Sequence, residues 1–390
     1  MTKLPLEIED LLPEAVAWRH DFHRHPELLF DVHRTAQIVT DRLRQFGCDE
    51  VVTGIGRTGV VAAIAGGRAA AGRVIGLRAD MDALPIQEAT GLPHASIVPG
   101  QMHACGHDGH TAMLLAAAKH LAGTRHFDGT AILIFQPAEE GGGGARLMIE
   151  DGLLDRFGVQ EVYGLHNMPG IPVGRFALRS GPIMAASDRF EIVVHGIGGH
   201  AARPHAGIDP ILVAGQLIVA LQSIVARNID PLESAVVSLG AVRGGETHNV
   251  IPQCVELRGT VRGLTEDVRK QCQKRLETIA GGVGDAFGAE ISVAYHCGYP
   301  VTTNHAKETL LAVQVAADVA GGGVDTTIAP LMLAEDFGYM LQQRPGAYIL
   351  LGNGGTKPLH HPGYDFNDAA IAYGISFWAR LVEMRMPVPT

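Results

Sequence analysis

The segment CVELRGTV (Cys254–Val261) alternates apolar with polar residues, which predicts a strand with one buried face and one solvated face. The next segment, Glu266–Phe287, spaces its apolar residues by threes and fours and begins with two acids. This pattern predicts an amphipathic helix whose dipole is complemented by the acids. A one-sided strand followed by such a helix indicates a sheet that helices cover on one face.

The elements around this pair identify the unit to which it belongs. They follow one another as strand, helix, strand, strand, helix, strand, and this order predicts a ferredoxin-like α+β unit. The predicted segments are Arg189–His195, Asp209–Arg227, Ala235–Val242, Cys254–Val261, Glu266–Phe287 and Glu290–Tyr295.

The chain on both sides of this unit has a different character. Short β-branched runs alternate there with helical segments, which predicts an α/β domain with a mixed sheet between helices. We therefore expect a discontinuous catalytic domain formed by residues 1–185 and 296–390, into which residues 186–295 are inserted as a smaller domain.

Composition limits the classes of function. The chain has 390 residues, 46% of them hydrophobic, and a net charge of −10 without a cluster of Lys or Arg. This charge argues against a nucleic-acid or anionic-membrane partner and favours a small-molecule substrate. We find no apolar run near about 18 residues, so no membrane-spanning helix is expected. Five cysteines without a C-x-x-C pair, together with an acidic start, predict a cytoplasmic protein.

The segment MHACGHDGH (Met102–His110) contains the densest group of metal-ligand residue types. Cys105 and His107 are two positions apart, so their side chains point to one side of an extended segment. Gly106 between them allows the backbone to approach an ion closely. His103 and His110 are weaker candidates, because surface and capping histidines are common.

Two adjacent carboxylates follow a predicted strand in QPAEEGGGG (Gln136–Gly144). Ligands bind at the carboxyl ends of strands in open α/β sheets. Because adjacent side chains point in different directions, either Glu139 or Glu140 can bind a metal while the other faces a metal-bound water. The alternative is a solvated pair that opens a helix and complements its dipole.

Two further segments end strands or turns with histidine: GLHNMP with His166, and PLHHPGYDFND with His360 and His361. The thiol, the imidazole and the carboxylate described above, together with one histidine from each of these two segments, make five ligands. Five are too many for one tetrahedral ion with an open position. They suit two divalent ions about 3.5–4 Å apart. Zinc, manganese, cobalt and nickel all accept such ligands.

The segment RADMDALP (Arg78–Pro85) places two carboxylates at the end of another predicted strand. A metal-bound imidazole commonly donates its second N–H to a carboxylate, and Asp82 is the candidate for that role. The alternative is an Asp that begins a turn before Pro85.

These five segments, together with GGHAARPH (Gly198–His205), resemble the hippurate hydrolase family of N-acyl-amino-acid amidohydrolases. This family groups bacterial relatives of the plant auxin-conjugate hydrolases with the aminoacylase and carboxypeptidase clan. The resemblance runs from about Val16 to Leu381. It implies a metallopeptidase-like fold with a dinuclear metal centre and a ferredoxin-like lid domain through which a homodimer forms.

The resemblance also assigns roles to residues. It implies that the general base is Glu139, and that the metal ligands are Cys105, His107, Glu140, His166 and His360. His360 is preferred to His361 because relatives with a single histidine carry it two positions before the proline.

In the lid, the resemblance implies that His200 steadies the carbonyl oxygen of the substrate and that Asn249 and Arg262 hold its polar groups. Distant relatives carry histidine where this chain has Asp80, so their ligand set cannot be copied here. Cys105 is then expected to supply the bridging anionic ligand.

The predicted function is metal-dependent hydrolysis of the amide bond in N-acyl amino acids, with acetyl, benzoyl or a similar acyl group. In this prediction Glu139 assists the attack of a metal-bound hydroxide. A dipeptidase or carboxypeptidase of the same clan is the alternative, and a thiol hydrolase built on Cys105 or a non-catalytic binding protein are weaker ones. A nucleotide-binding oxidoreductase is disfavoured, because GIGRTG (Gly54–Gly59) precedes a strand-like segment and not a helix.

Overall fold

The computed structural model describes residues 6–67 and 72–388, and the chain divides into two units. Unit 1 comprises Met1–Gly181, Thr303–Ala329 and Asp336–Thr390, and unit 2 comprises Pro182–Thr302 and Pro330–Glu335. The range predicted for the inserted domain, 186–295, lies within the first segment of unit 2.

Strands and helices alternate along unit 1, whereas the main elements of unit 2 follow the order strand, helix, strand, strand, helix, strand. The strands are β1 (Glu50–Ile55), β2 (Gly59–Ala65), β3 (Val74–Asp80), β4 (Thr130–Gln136), β5 (Glu161–Met168), β6 (Phe176–Ala177), β7 (Gly181–Met184), β8 (Ala186–His195), β9 (Gly199–His200), β10 (Ala235–Arg243), β11 (Val250–Ile251), β12 (Cys254–Gly263), β13 (Glu290–Tyr299), β14 (Thr302–Asn304), β15 (Val324–Asp325) and β16 (Gly346–Gly352). The helices are α1 (Leu6–Glu9), α2 (Leu12–Arg24), α3 (His33–Gln45), α4 (His107–Thr124), α5 (Gly144–Glu150), α6 (Leu153–Arg156), α7 (Pro210–Leu221), α8 (Glu266–Phe287), α9 (Ala306–Ala320), α10 (Gly338–Gln343) and α11 (Ile371–Arg385).

Unit 1 is built on an eight-stranded mixed sheet in the order β1-β2-β4-β3-β5-β16-β6-β15. Its four central strands, β4, β3, β5 and β16, run parallel to one another. Nearly every residue of these strands is buried, as expected for strands that helices cover on both faces. The parallel arrangement brings the carboxyl ends of β3, β4 and β5 to one edge of the sheet, and ligand-type residues follow there.

The helix α4 lies against the sheet and carries one of these segments at its start. It contacts β3, α2 and α11, and the small side chains in its sequence TAMLLAAAKHLA allow close approach on most of its faces. Its first turn is completely buried. The beginning of α4 is therefore held firmly by the core of unit 1.

Unit 2 has a four-stranded antiparallel sheet in the order β13-β8-β12-β10. Numbered within the unit, this order is 4-1-3-2, which confirms the predicted ferredoxin-like topology. The two helices of the unit, α7 and α8, contact each other and pack on the sheet around an apolar core. A separate two-stranded ribbon in unit 2 consists of β9 and β11.

Several boundaries differ from those predicted. The segment Asp209–Arg227 is predicted as one helix. Its α-helix ends at Leu221, and a short π-helix, Ile224–Asn228, follows it. The sequence of Ala334–Gln343 also predicts a helix, but α10 begins only at Gly338, because the buried Asp336 before it accepts hydrogen bonds from Arg78 and from the backbone of Ala145. Six strands of two to four residues were not predicted, because such short segments are too short to show a periodic pattern of apolar residues.

The expectation that no helix could span a membrane is also wrong in one respect. The helical stretch Pro210–Asn228 has a mean hydropathy of 1.6 and is long and apolar enough by length and composition alone. The polar residues Gln216, Gln222 and Ser223 interrupt it, which is why it does not read as a continuous apolar run. About a third of it is buried in unit 2, so part of its apolar surface is exposed.

Candidate metal centre

The ligand-type residues of unit 1 converge at the carboxyl edge of its sheet. The potential ligand atoms of Cys105, His107 and His166 all lie within 4.8 Å of one another. Those of Cys105, Glu140 and His360 form a second group by the same measure. The two groups share the Cys105 sulfur, and this arrangement matches the donor set of two adjacent divalent ions with a common thiolate.

A tight turn presents the Cys105 thiol. Gly106 has a φ of +88°, and a Cβ atom at this position would lie 2.3 Å from Nδ2 of Asn167. That same Nδ2 donates a hydrogen bond of 2.6 Å to the carbonyl of Cys105. Because only glycine leaves room for this contact, the turn is fixed with the Cys105 sulfur 3.5 Å from Nε2 of His166.

His107 has one ring nitrogen engaged and one available. Its Nδ1 lies 2.8 Å from the carbonyl oxygen of Asp82, whereas its buried Nε2 has no hydrogen-bond partner among the described residues. Burial lowers the pKa of His107, but the carboxylates of Asp80 and Asp82 raise it to about 10. The surroundings therefore favour positive charge at a buried nitrogen that has no hydrogen-bond partner in the described part of the chain, and a cation satisfies both conditions.

The Asp82 carboxylate holds the two glutamates in place. Its oxygens accept hydrogen bonds from the backbone N–H groups of Glu139, at 2.9 Å, and Glu140, at 3.0 Å. The preceding residue, Ala138, has a φ of +55°, so the turn is strained. The glutamates do not open a helix, since α5 begins only at Gly144. The interpretation as a solvated pair at a helix start is therefore wrong.

The surroundings of His166 favour the neutral imidazole that metals bind. Burial, together with the nearby ring of His110, holds the pKa of His166 well below its usual value. Its Nδ1 contacts the carbonyl of Asn167 at 2.5 Å, which leaves Nε2 directed toward the Cys105 sulfur.

The two adjacent histidines near the C-terminus take different positions. Nε2 of His360 lies 3.1 Å from Oε1 of Glu140, and the backbone N–H of His360 bonds to the carbonyl of Ala104 at 2.8 Å. His361 instead accepts a hydrogen bond from the backbone of Gly363 at 2.9 Å. The structure therefore brings His360, and not His361, to the other ligand-type residues.

The two weaker candidates in the first motif lie outside the two groups that share Cys105. Nδ1 of His110 lies 2.6 Å from the Asp80 carboxylate, and its Nε2 accepts the backbone N–H of Asn167 at 2.9 Å. Both ring nitrogens of His110 thus have protein partners, and its ring belongs to a separate group of potential ligand atoms with Asp80 and His107. His103 is buried, and burial lowers its pKa to about 3.

The residues predicted to contact substrate all lie in unit 2. His200 and Asn249 are exposed, and the β9 and β11 ribbon brings them close, since the backbone of Ala201 bonds to the carbonyl of Asn249 at 3.1 Å. Arg262 is on β12 of the four-stranded sheet and half-buried, and burial lowers its pKa.

Sequence reasoning missed a group of buried polar residues beside the centre, among them Arg19, Asp108, Asn167 and Tyr364. One signal was available: Arg19 lies in α2 between the apolar residues Ala15, Trp18 and Phe22, and all of these are buried. A charged residue on the apolar face of a helix requires a buried partner.

Comparison with known proteins gives consistent results. The sequence profile of peptidase family M20/M25/M40 matches residues 76–384. The hippurate hydrolase of Campylobacter jejuni is 45% identical over 96% of this chain and 97% of its own length. An N-acetyl-L-cysteine deacetylase of Bacillus subtilis is 43% identical over 94% of this chain and 87% of its own length. A crystal structure from Bacillus subtilis, described as a dinuclear metal binding peptidase of the M20 family, has a TM-score of 0.85 and 36% identity, covering 97% of this chain and 99% of that one.

Proposed function

The chain belongs to peptidase family M20/M25/M40, and on that premise we propose how its residues perform the chemistry. It is a metal-dependent hydrolase of the amide bond in N-acyl amino acids, like the hydrolase and deacetylases to which it is similar. The convergence of a thiol, three imidazoles and a carboxylate in unit 1 carries the proposal.

We propose two divalent ions per chain, held by Cys105, His107, Glu140, His166 and His360. The donor set supports this, because sulfur and imidazole nitrogen suit zinc, cobalt and nickel, and carboxylate oxygen adds manganese. The buried Nε2 of His107 supports it further, since it has no hydrogen-bond partner among the described residues. The thiol of Cys105 belongs to both ligand groups and would bridge the ions.

When bound, the ions lower the pKa of a coordinated water and polarise the substrate carbonyl. Glu139 is the general base. Its carboxylate takes a proton as the water oxygen bonds to the carbonyl carbon, and it returns that proton to the leaving nitrogen as the C–N bond breaks. The Asp82 carboxylate orients Glu139 by holding its backbone N–H.

The groups of unit 2 bind the rest of the substrate. His200 donates a hydrogen bond to the oxygen that gains charge, and Asn249 holds a polar group. Arg262 is half-buried and presents a planar fork that matches the two oxygens of a carboxylate. These three residues suit an N-acyl amino acid, whose free carboxylate distinguishes it from an ordinary amide.

We also propose that the chain forms a homodimer through unit 2. The stretch that contains α7 exposes several large apolar side chains, and β10 is an edge strand of its sheet. The exposed residues are Ile211, Leu212, Val219 and Val225. A second copy would cover this surface and pair with the edge, both of which are liabilities when they are left open. All five cysteines are free thiols, which supports a location in the reducing cytoplasm.

The function is tested on purified chain reconstituted with zinc, manganese, cobalt or nickel. Expected are two equivalents of metal by elemental analysis, release of amino acid from N-acetyl and N-benzoyl amino acids, and a dimer by light scattering. Chelator should abolish turnover and a thiol-alkylating reagent should not do so in the loaded enzyme, because the Cys105 sulfur is buried and would be engaged as a metal ligand.

Turnover of dipeptides in preference to acylated amino acids would instead assign the chain to the carboxypeptidases of its clan. Activity that survives complete metal removal would contradict the proposal.

A further inference from the structure

A buried arginine joins two of the four segments that carry the proposed metal ligands, the segment with His107 and the segment with His360. Arg19 is 0% exposed, and its Nε donates to Asp108 at 2.9 Å. Its Nη2 donates to Asp365 at 2.7 Å. Asp108 directly follows His107, and Asp365 lies five residues after His360. The guanidinium thus connects the first turn of α4 with a loop that lies about 250 residues later in the sequence.

We propose that Arg19 is a positioning residue of the dinuclear centre, which sets the spacing between the segment with His107 and the segment with His360. This inference rests on the metal centre proposed above. It assigns a part in metal binding to a residue of α2 that contacts none of the five ligands.

The geometry supports a positioning role over simple burial of charge. A guanidinium donates in fixed directions, so two carboxylates bonded to its separate edges are held at a defined distance. On the side of His107, no flexible segment separates the guanidinium contact from the ligand, because Asp108 follows His107 in the buried first turn of α4. On the second side, Nη1 of Arg19 is 3.4 Å from Asp368, which adds a third carboxylate from the same segment.

The two sides depend on Arg19 to different degrees. Asp108 also bonds to Nδ1 of His23 at 2.8 Å. Burial lowers the pKa of His23, but the Asp108 carboxylate outweighs this effect and raises that pKa to about 9. His23 therefore remains as a cationic partner of Asp108 when Arg19 is removed. Asp365 is left with the more distant contact to His94 at 3.3 Å. The segment with His360 should consequently loosen more than the segment with His107.

The test measures metal affinity in the full-length chain by competition with a chromophoric chelator. Arg19→Met should weaken binding of at least one ion by about 10–100-fold, the usual effect of removing a group that orients a ligand. Arg19→Lys keeps the charge but not the fork, so it should restore only part of this affinity. Asp365→Asn, at a residue whose side chain is 36% exposed, should weaken one ion and leave the other near its wild-type affinity.

Arg385→Met is the matched control in the same unit. Arg385 donates to both oxygens of Glu161, so its loss costs a comparable ion pair and should lower the melting temperature without changing metal affinity. If Arg19→Met fails to fold, Asp365→Asn decides alone. Wild-type affinity for both ions in either variant would overturn the inference. A wild-type chain that binds no divalent metal would instead refute the proposed function.

Discussion

The centre in unit 1 and the predicted substrate residues in unit 2 differ in how completely the fold has ordered them. Cys105, His107 and His166 are 7%, 0% and 5% exposed, and hydrogen bonds orient both histidines. His200 and Asn249 are exposed on a two-stranded ribbon. The buried ligands of unit 1 are ordered before any ligand arrives, whereas His200 and Asn249 have few contacts to constrain their side chains. His360 is the exposed member of the proposed ligand set.

The difference follows from what each region must bind. Ligands for a metal ion must be held within a fraction of an ångström, and buried hydrogen bonds provide this order during folding. Groups that hold a substrate must also release its products, so part of their ordering is left to the substrate itself. Substitutions at the metal centre of unit 1 should therefore alter metal binding or the chemical step, and substitutions of the predicted substrate residues in unit 2 should spare metal binding.

The largest effect is expected for Glu139→Gln, which removes the proposed base and keeps the shape of the side chain. Loss of a general base costs about 10²–10⁴ in rate, so kcat should fall by that factor while two equivalents of metal remain. Steady-state kinetics and elemental analysis on one preparation measure both quantities.

The neighbouring Glu140→Gln is the matched control for this substitution. It should lose metal, because Glu140 lies in the ligand group with Cys105 and His360. Glu139→Gln with nearly wild-type kcat would remove Glu139 from the role of base, and the two adjacent residues would then need their roles exchanged.

A smaller effect is expected in unit 2 for His200→Ala. Loss of one donor to a developing oxyanion costs about 10²–10³ in kcat. Metal affinity and melting temperature should stay at their wild-type values, since His200 is exposed and its Nδ1 accepts only the local backbone N–H of Ala202. His205→Ala, at an exposed histidine of the same segment, is the control and should be silent. Reduced metal content in His200→Ala would erase the distinction between the two regions.

Local patterns predicted most of the fold. The helix over Glu266–Phe287 has the predicted ends. The side chain of Thr265 caps its start by accepting a hydrogen bond from the backbone N–H of Val268, and Gly288 ends it in the left-handed conformation. The alternation in β12 placed its apolar residues on the core face of unit 2. Elements as short as β9 and β11 could not be predicted, since their two residues pair only because of the chain around them.

The candidate site was predictable as a set of residue types but not as a network. Four motifs identified the residues that converge, whereas the contacts of Arg19 and Asn167 depend on tertiary packing that no spacing encodes. Asp82 shows the limit most clearly. A carboxylate acceptor for a metal-bound imidazole was expected there. Nδ1 of His107 lies 3.5 Å from the Asp82 carboxylate, and its nearer contact is to the Asp82 backbone carbonyl, at 2.8 Å. The carboxylate mainly holds the turn of the two glutamates.

This arrangement makes Asp82→Asn the subtlest test of preorganisation in unit 1. Asparagine retains the backbone contact to His107 and one acceptor oxygen, but its amide group cannot accept the second of the two N–H groups that Asp82 now binds. The turn should then fluctuate, and metal affinity or kcat should fall by about 10–100-fold, less than for Glu139→Gln.

Asp151→Asn is the control for this substitution, because the Asp151 carboxylate also binds a backbone N–H, that of Gly56, at 2.7 Å, and lies in neither ligand group. Chelator competition and steady-state kinetics on both variants show whether the loss is specific to the Asp82 carboxylate or follows from removing any carboxylate that binds a backbone N–H group. If both variants match the wild type, the order of the glutamate turn arises from the strained backbone at Ala138 and not from its hydrogen bonds to Asp82. The contrast with the exposed ribbon would then rest on burial alone.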